Sequence, residues 1–200
     1  MQGKKLILTA ISGLVFASVT NSAFATMSAA NGWYAEGNAG SQHMSNKSYP
    51  GNNASSSGLA GNLNIGYKFM PYFGMEIGYS YYNNTNINTS SGGKAGQDKH
   101  YSYDLAMKGI VPFADSGVEA FAKLGVDRIN SHVTVQNQTA ANSIGLTANQ
   151  HSATGIYLGA GLQYSVMPEL GLVVQWQRAT GNSHTGNFDL FSGGIAFIFD

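Results

Sequence analysis

The fold this sequence predicts is all-β: an eight-stranded antiparallel transmembrane β-barrel of up-and-down topology. Three observations predict it. Apolar residues recur with period two rather than 3.6, so that one face of each segment is aromatic or aliphatic and the other small or polar. Short turns alternate with long Asn-, Ser-, Gly- and Thr-rich connections. The amino terminus carries an export signal, which fits delivery to an outer membrane.

The signal comes first in the chain. Lys4 and Lys5 precede an apolar run from Leu6 to Val19, and Ala23-Phe24-Ala25 supplies the small-x-small pattern of a cleavage site. The run is too short for a membrane anchor and is interrupted by Thr9, Ser12 and Gly13. Residues 1–25 are therefore expected to be a cleaved signal peptide and residues 26–200 the barrel domain. Losing Lys4 and Lys5 leaves eight basic against ten acidic residues.

Eight alternating segments follow in order, each near the roughly nine to eleven residues a tilted membrane strand requires. In the first, Trp33, Ala35, Gly37 and Ala39 oppose Tyr34, Glu36, Asn38 and Gly40. The second reaches Tyr67 and Phe69, turns at Met70-Pro71, and the third continues through Phe73, Met75, Ile77, Tyr79 and Tyr81. On their other face stand Lys68, Gly74, Glu76, Gly78 and Ser80. In the fourth, Tyr101, Tyr103, Leu105, Met107 and Val111 oppose Ser102, Asp104 and Lys108. In the fifth, Val118, Ala120, Ala122, Leu124 and Val126 oppose Glu119, Lys123 and Asp127. The sixth sets Ile156, Leu158, Ala160, Leu162 and Tyr164 against Gly159, Gly161, Gln163 and Ser165. The seventh sets Leu172, Val174 and Trp176 against Gln175 and Gln177, and the eighth sets Phe191, Ile195, Phe197 and Phe199 against Ser192, Gly194 and Ala196.

Short turns fall at Met70-Pro71, Phe113 to Gly117 and Met167 to Leu170. The long connections are read as His43 to Ser57, Asn83 to His100 and His132 to Gln150, with a shorter one at Gly181 to Asn187. A soluble β-sandwich would also alternate, but it needs a charged outer face. Only 10% of residues here are charged, against roughly a quarter in a typical soluble domain. The polar face, small and sparsely charged, suits a narrow lumen filled by side chains. Eleven Tyr and ten Phe argue against disorder, the absence of Cys excludes disulfides, and a net charge of zero gives no footprint for nucleic acid.

The run Gly66-Tyr67-Lys68-Phe69-Met70-Pro71-Tyr72-Phe73-Gly74-Met75-Glu76-Ile77-Gly78-Tyr79 resembles the second hairpin of the OmpA-type outer-membrane barrel. So do Trp33-Tyr34, Lys108 ahead of Pro112, Phe121-Ala122-Lys123-Leu124-Gly125, and Gly161-Leu162-Gln163-Tyr164 through Met167-Pro168-Glu169-Leu170 to Gln175-Trp176. The resemblance covers nearly all of Gly32 to Phe199. It implies residence in the outer membrane, contact with its lipid and lipopolysaccharide, and insertion by the barrel-assembly machinery. Phe199 is then the aromatic end signal, one residue inside the usual position. Because the chain ends at Asp200, no peptidoglycan-binding periplasmic domain is expected. A monomer without cofactor or metal is expected as well.

The resemblance also implies a charged gate in the lumen, a Glu able to pair with a Lys or an Arg on neighbouring strands. Glu76 and Lys108 occupy the first two positions, and Val173 stands where the Arg belongs. Glu76 and Lys108 are therefore expected to form a permanent plug, with Lys68 or Lys123 as the other partners open to Glu76. The network around them is expected to include Glu36, Lys68, Asp104, Glu119, Lys123 and Asp127. The alternative is that these charges merely satisfy one another in a confined interior, since unpaired buried charge is prohibitive.

Five histidines, His43, His100, His132, His151 and His184, fall in or at the edges of segments read as external loops. At the rim they would sense pH or bind a metal if they converge, and are otherwise ordinary loop polarity. Asn182-Ser183-His184-Thr185, with Asp189 the nearest acid, is a poor hydrolytic site because adjacent strand side chains point apart. The reading is a non-enzymatic barrel serving envelope integrity and surface interaction through polar loops, with a low-conductance pore for small solutes as the alternative.

Overall fold

A computed structural model describes residues 31–49, the backbone of 53–54, 57–113 and 116–199. The expected signal peptide and its cleavage site lie outside the described residues. The chain forms β1 (Gly32–Ser45), β2 (Asn53–Ala54), β3 (Ser57–Met70), β4 (Phe73–Asn88), β5 (Lys94–Pro112), β6 (Val118–Val135), α1 (Gln138–Ile144), β7 (Asn149–Met167), β8 (Leu170–Ala179) and β9 (Asn187–Phe199).

Apart from β2, which caps the edge of β4, eight long strands pair antiparallel with their sequence neighbours. The first, β1, pairs with the last, β9, from Trp33 opposite Phe199 to Ser45 opposite Asn187. The sheet thus closes on itself across its membrane-spanning part, as a membrane-spanning sheet must. Short turns join β3 to β4, β5 to β6 and β7 to β8 at one end, which also holds the ends of β1 and β9.

Burial is inverted relative to a soluble protein. Leu63, Ile77 and Leu124 are 66%, 58% and 62% exposed on the outside, whereas Glu76 is 1% exposed within. The outer apolar belt is bounded by aromatic clusters. Trp33 meets Tyr67 edge-on at 5.2 Å near the short turns, and Tyr79, Tyr101 and Tyr103 cluster at the other end. Such girdles mark the two lipid–water boundaries.

The strands are longer than a membrane crossing requires, and this corrects the sequence reading of the loops. Most of Asn83 to His100 is β-ladder, turning tightly at Thr89 to Gly93, where Gly92 adopts φ 86°. β6 runs on to Val135 and β7 begins at Asn149. The barrel therefore projects beyond the Tyr79–Tyr103 girdle, where its outer face turns polar with Asn83, Lys99, Arg128 and His132. Its inner face there turns apolar. Tyr82, Ile87, Ile129, Val133, Phe188 and Leu190 pack inside the projecting rim with Met44 and Tyr49. Helix α1 closes over them. Asn137 caps its start by accepting from the Ala140 N–H, and Gly145 ends it at φ 68°, a left-handed position suited to glycine. Ala141 and Leu146 then join the apolar cluster.

Candidate functional site

The candidate site is the lumen, which is filled in successive layers. Nearest the short turns, Lys68 pairs with Glu119 at 2.9 Å. Lys108 lies above the rings of Phe121 and Tyr34, 4.3 and 4.9 Å from their centroids, and reaches Glu36 at 3.5 Å. The shortest ion pair of the layer is Glu76 Oε1 to Lys123 Nζ at 2.7 Å. The Tyr34 hydroxyl donates to the other oxygen of Glu76 at 2.8 Å. This bond passes directly over Gly66, where a Cβ would stand 2.3 Å from the Tyr34 ring. Glu36 Oε1 accepts from Asn38 (2.7 Å), Gln175 (3.0 Å) and Asn64 (3.2 Å).

The expected Glu76–Lys108 plug is therefore corrected. Lys108 and Lys123 sit opposite each other in the β5–β6 ladder. Their like charges are accommodated by two carboxylates: Lys123 takes Glu76 and also reaches Glu36 at 3.6 Å, while Lys108 leans over the aromatic rings to the other oxygen of Glu36. Val173, at the position of the expected arginine, packs with Ile110, Phe121 and Ala196. Asp104 and Asp127 lie opposite each other in the same ladder, higher in the lumen. Thr180 N–H donates to Asp127 at 3.4 Å, while both Asp104 oxygens face no protein donor among the described residues.

Above the charges lies a neutral amide and hydroxyl layer. Gln177 accepts from Asn62 at 2.9 Å and from Tyr157 at 3.1 Å, and donates to Ser80 at 3.1 Å. Tyr82 and Phe188 then stack across the bore, 4.1 Å between centroids and 15° between planes.

Above the girdle lies a second buried charge cluster that the sequence reading missed. Lys47, from the first extracellular connection, turns inward and pairs with Asp98 at 2.5 Å while donating to Ser131 at 2.8 Å. Tyr49 donates to Asp98 at 2.9 Å, and His100 Nε2 lies 3.1 Å from the same carboxylate. Burial pushes Lys47 and His100 below their ordinary pKa values and Tyr49 above its own. Burial works against the Asp98 charge too, but His100 and Lys47 outweigh it and hold the carboxyl below its usual range. No local motif announces this cluster, because Lys47 and Asp98 are 51 residues apart.

The five histidines occupy four different settings. His43 is on the outer face of β1 beside Ser57, at 3.1 Å, and His132 is exposed on β6 opposite Lys99. His100 is fully buried within β5, inside the projecting rim rather than at its surface. His151, on the inward side of β7, and His184, in the last extracellular connection, come together with ring centroids 4.8 Å apart. Asp189, weighed above as an acid for His184, instead accepts from Trp176 at 3.2 Å and pairs with Arg178 at 3.6 Å.

A family model described as outer membrane protein beta-barrel domain matches residues 10–199. A search of curated protein sequences gives no match. Among solved structures, the chain is similar to OprG from Pseudomonas aeruginosa, with 14% identity, a TM-score of 0.61, and 88% of this chain and 100% of that one covered. Neisserial surface protein A is similar at 15% identity and a TM-score of 0.58, covering 84% and 97%. The N-terminal β-barrel domain of Pseudomonas aeruginosa OprF follows at 13% identity and a TM-score of 0.54, covering 83% and 97%. At these identities the likeness bears on the fold alone.

Proposed function

Because the chain belongs to the outer membrane protein beta-barrel domain family, we propose that it is a closed, non-enzymatic outer-membrane cylinder. It supports envelope integrity and presents its projecting rim and loops for surface interaction. It acts as a monomer in lipid and lipopolysaccharide and is inserted by the barrel-assembly machinery.

One observation carries this reading: the bore is filled twice over. The Glu76–Lys123 and Glu36–Lys108 pairs occupy its lower half, and the stacked Tyr82–Phe188 pair with its apolar surround occupies the rim. A buried charge layer repels partially dehydrated ions, and an apolar plug excludes water. The rim, by contrast, is rigid β-ladder capped by polar connections, a scaffold of the kind that carries binding.

The alternative, a low-conductance pore for small solutes, draws support from the middle of the bore. There five lumen carboxylates (Glu36, Glu76, Asp104, Glu119, Asp127) face three lysines (Lys68, Lys108, Lys123), and Asp104 lacks protein donors among the described residues, so water is expected around it. Single-channel recording in planar bilayers separates the two. The refolded barrel is expected to be electrically silent. Discrete steps in the wild type, altered by Glu76→Gln or Lys123→Ala, would establish the pore instead.

A further inference from the structure

Three extracellular connections meet above the buried Lys47–Asp98 pair and enclose a cavity of about 140 Å³. Thr147, Asn149, His151, Ser183 and His184 line it, with Lys47 at its floor. The His151 and His184 rings stack at 24° between planes, so both imidazoles border one space although they lie on separate segments.

The charge of the surroundings narrows the ligand. The extracellular connections, residues 46–56, 89–93, 136–148 and 180–186, contain no Asp or Glu at all. Below the cavity, Asp98 is fully buried and already engaged by Lys47, Tyr49, Ser131 and His100. A hard cation is held by several oxygens, carboxylates foremost, and the lining side chains offer no carboxylate and a single amide carbonyl, that of Asn149. Hydroxyls, an amide and paired imidazoles are instead the donors that an oxyanion requires.

We propose that this cavity binds the sulfate or phosphate group of an anionic glycan at the N–H edges of the stacked His151 and His184 rings, with Thr147, Asn149 and Ser183 donating hydrogen bonds. Lys47 contributes little net charge, because Asp98 neutralises it. The site's charge therefore comes from the histidine pair. An oxyanion at the ring edges favours the charged form of each imidazole, so protonation and binding reinforce one another. The other titratable groups facing the pair are Lys47 and Tyr49 of the first connection, with Asp98 and His100 of β5 beneath them.

The inference rests on the surface-interaction reading and gives it a ligand class. The test uses the full barrel in phosphatidylcholine nanodiscs, titrated calorimetrically near pH 6 and pH 8. The probes are a heparin-derived tetrasaccharide, a phosphorylated core oligosaccharide released from lipopolysaccharide, and neutral maltotetraose. At least one charged probe is expected to bind about tenfold or more tightly at the lower pH. That gain should vanish in His151→Gln/His184→Gln and persist in His100→Gln. Binding of the sulfated probe points to an external glycan; binding of the phosphorylated probe alone points to neighbouring lipopolysaccharide. Either supports the site. Charged probes that bind no better than maltotetraose, or a double variant indistinguishable from wild type, overturn it. A silent barrel that binds neither charged probe loses this site and keeps the closed-cylinder reading, whereas a conducting barrel that binds them does the reverse.

Discussion

A lysine folded back into an apolar rim is tolerable only where a carboxylate waits for it. Lys47 exposes 6% of its side chain and Asp98 none, so solvent screens the pair very little. Replacing Lys47 by Met leaves Asp98 buried with only Tyr49, Ser131 and His100 to stabilise it, and is expected to cost about 3–5 kcal/mol. Lys47→Met combined with Asp98→Asn removes both charges and should recover most of that loss, which a urea-unfolding double-mutant cycle in detergent would measure. His100 gives the same cluster a pH dependence. Burial lowers its pKa below the ordinary 6.5, so the unfolded chain takes up a proton that the folded rim refuses. Stability therefore falls as pH drops through about 6.5, down to the lowered folded value. Amide protection factors at Met44 to Tyr49 should fall over that interval in wild type and remain flat in His100→Gln. None of this was visible in the sequence, since a long-range ion pair leaves no local pattern. The lumen charges were legible as a set, because alternation placed them all on one face. Their pairing was not: it depends on Lys108 and Lys123 facing each other across a ladder, a register that neither strand encodes alone.

Alternation carried the strands but misled at their ends, and β6 shows why. Between the girdles its outward residues are Leu124 and Val126 and its inward ones Lys123 and Asp127. Past the girdle the polarity exchanges: Arg128, Asn130 and His132 point outward or lie at the surface, while Ile129 and Val133 are buried. The period remains two while the phase inverts, because the surroundings outside change from lipid to water and those within from a polar bore to an apolar plug. A search for apolar residues of constant parity stops at that inversion and assigns the remainder to loops. The inversion predicts opposite tolerances at adjacent residues. Ile129→Ala should destabilise the barrel by about 2–5 kcal/mol through the cavity it leaves. Arg128→Ala, whose guanidinium reaches only Ser152 at 3.0 Å on the exposed face, should remain within roughly 0.5 kcal/mol. If the stretch beyond the girdle were a solvated loop, as the sequence suggested, both substitutions would be nearly silent in the same unfolding assay.

At the scale of the whole molecule, the proposed closed cylinder has its two fillings acting as barriers in series. Any permeating ion must pass the Glu36–Glu76–Lys108–Lys123 layer and also the Tyr82–Phe188 stack, so the higher barrier governs the flux. Loss of one filling leaves the other intact, and single-site variants of the charge layer are weak tests of whether the bore conducts. Tyr82→Ala/Phe188→Ala should admit water to the rim yet remain silent, because the ion pairs below still close the bore. Glu76→Gln/Lys123→Ala should remain silent for the converse reason, with the apolar stack still excluding water. Only the quadruple variant is expected to show discrete conductance steps in a planar bilayer. Retained heat-modifiable electrophoretic mobility would show that each variant is still a folded barrel. Conductance in the Tyr82/Phe188 pair alone would mean that the charge layer is permeable and that the rim is the sole seal. Such a protein would be a gated pore whose gate is built from the extracellular half, and the function assigned to the loops would have to include opening it.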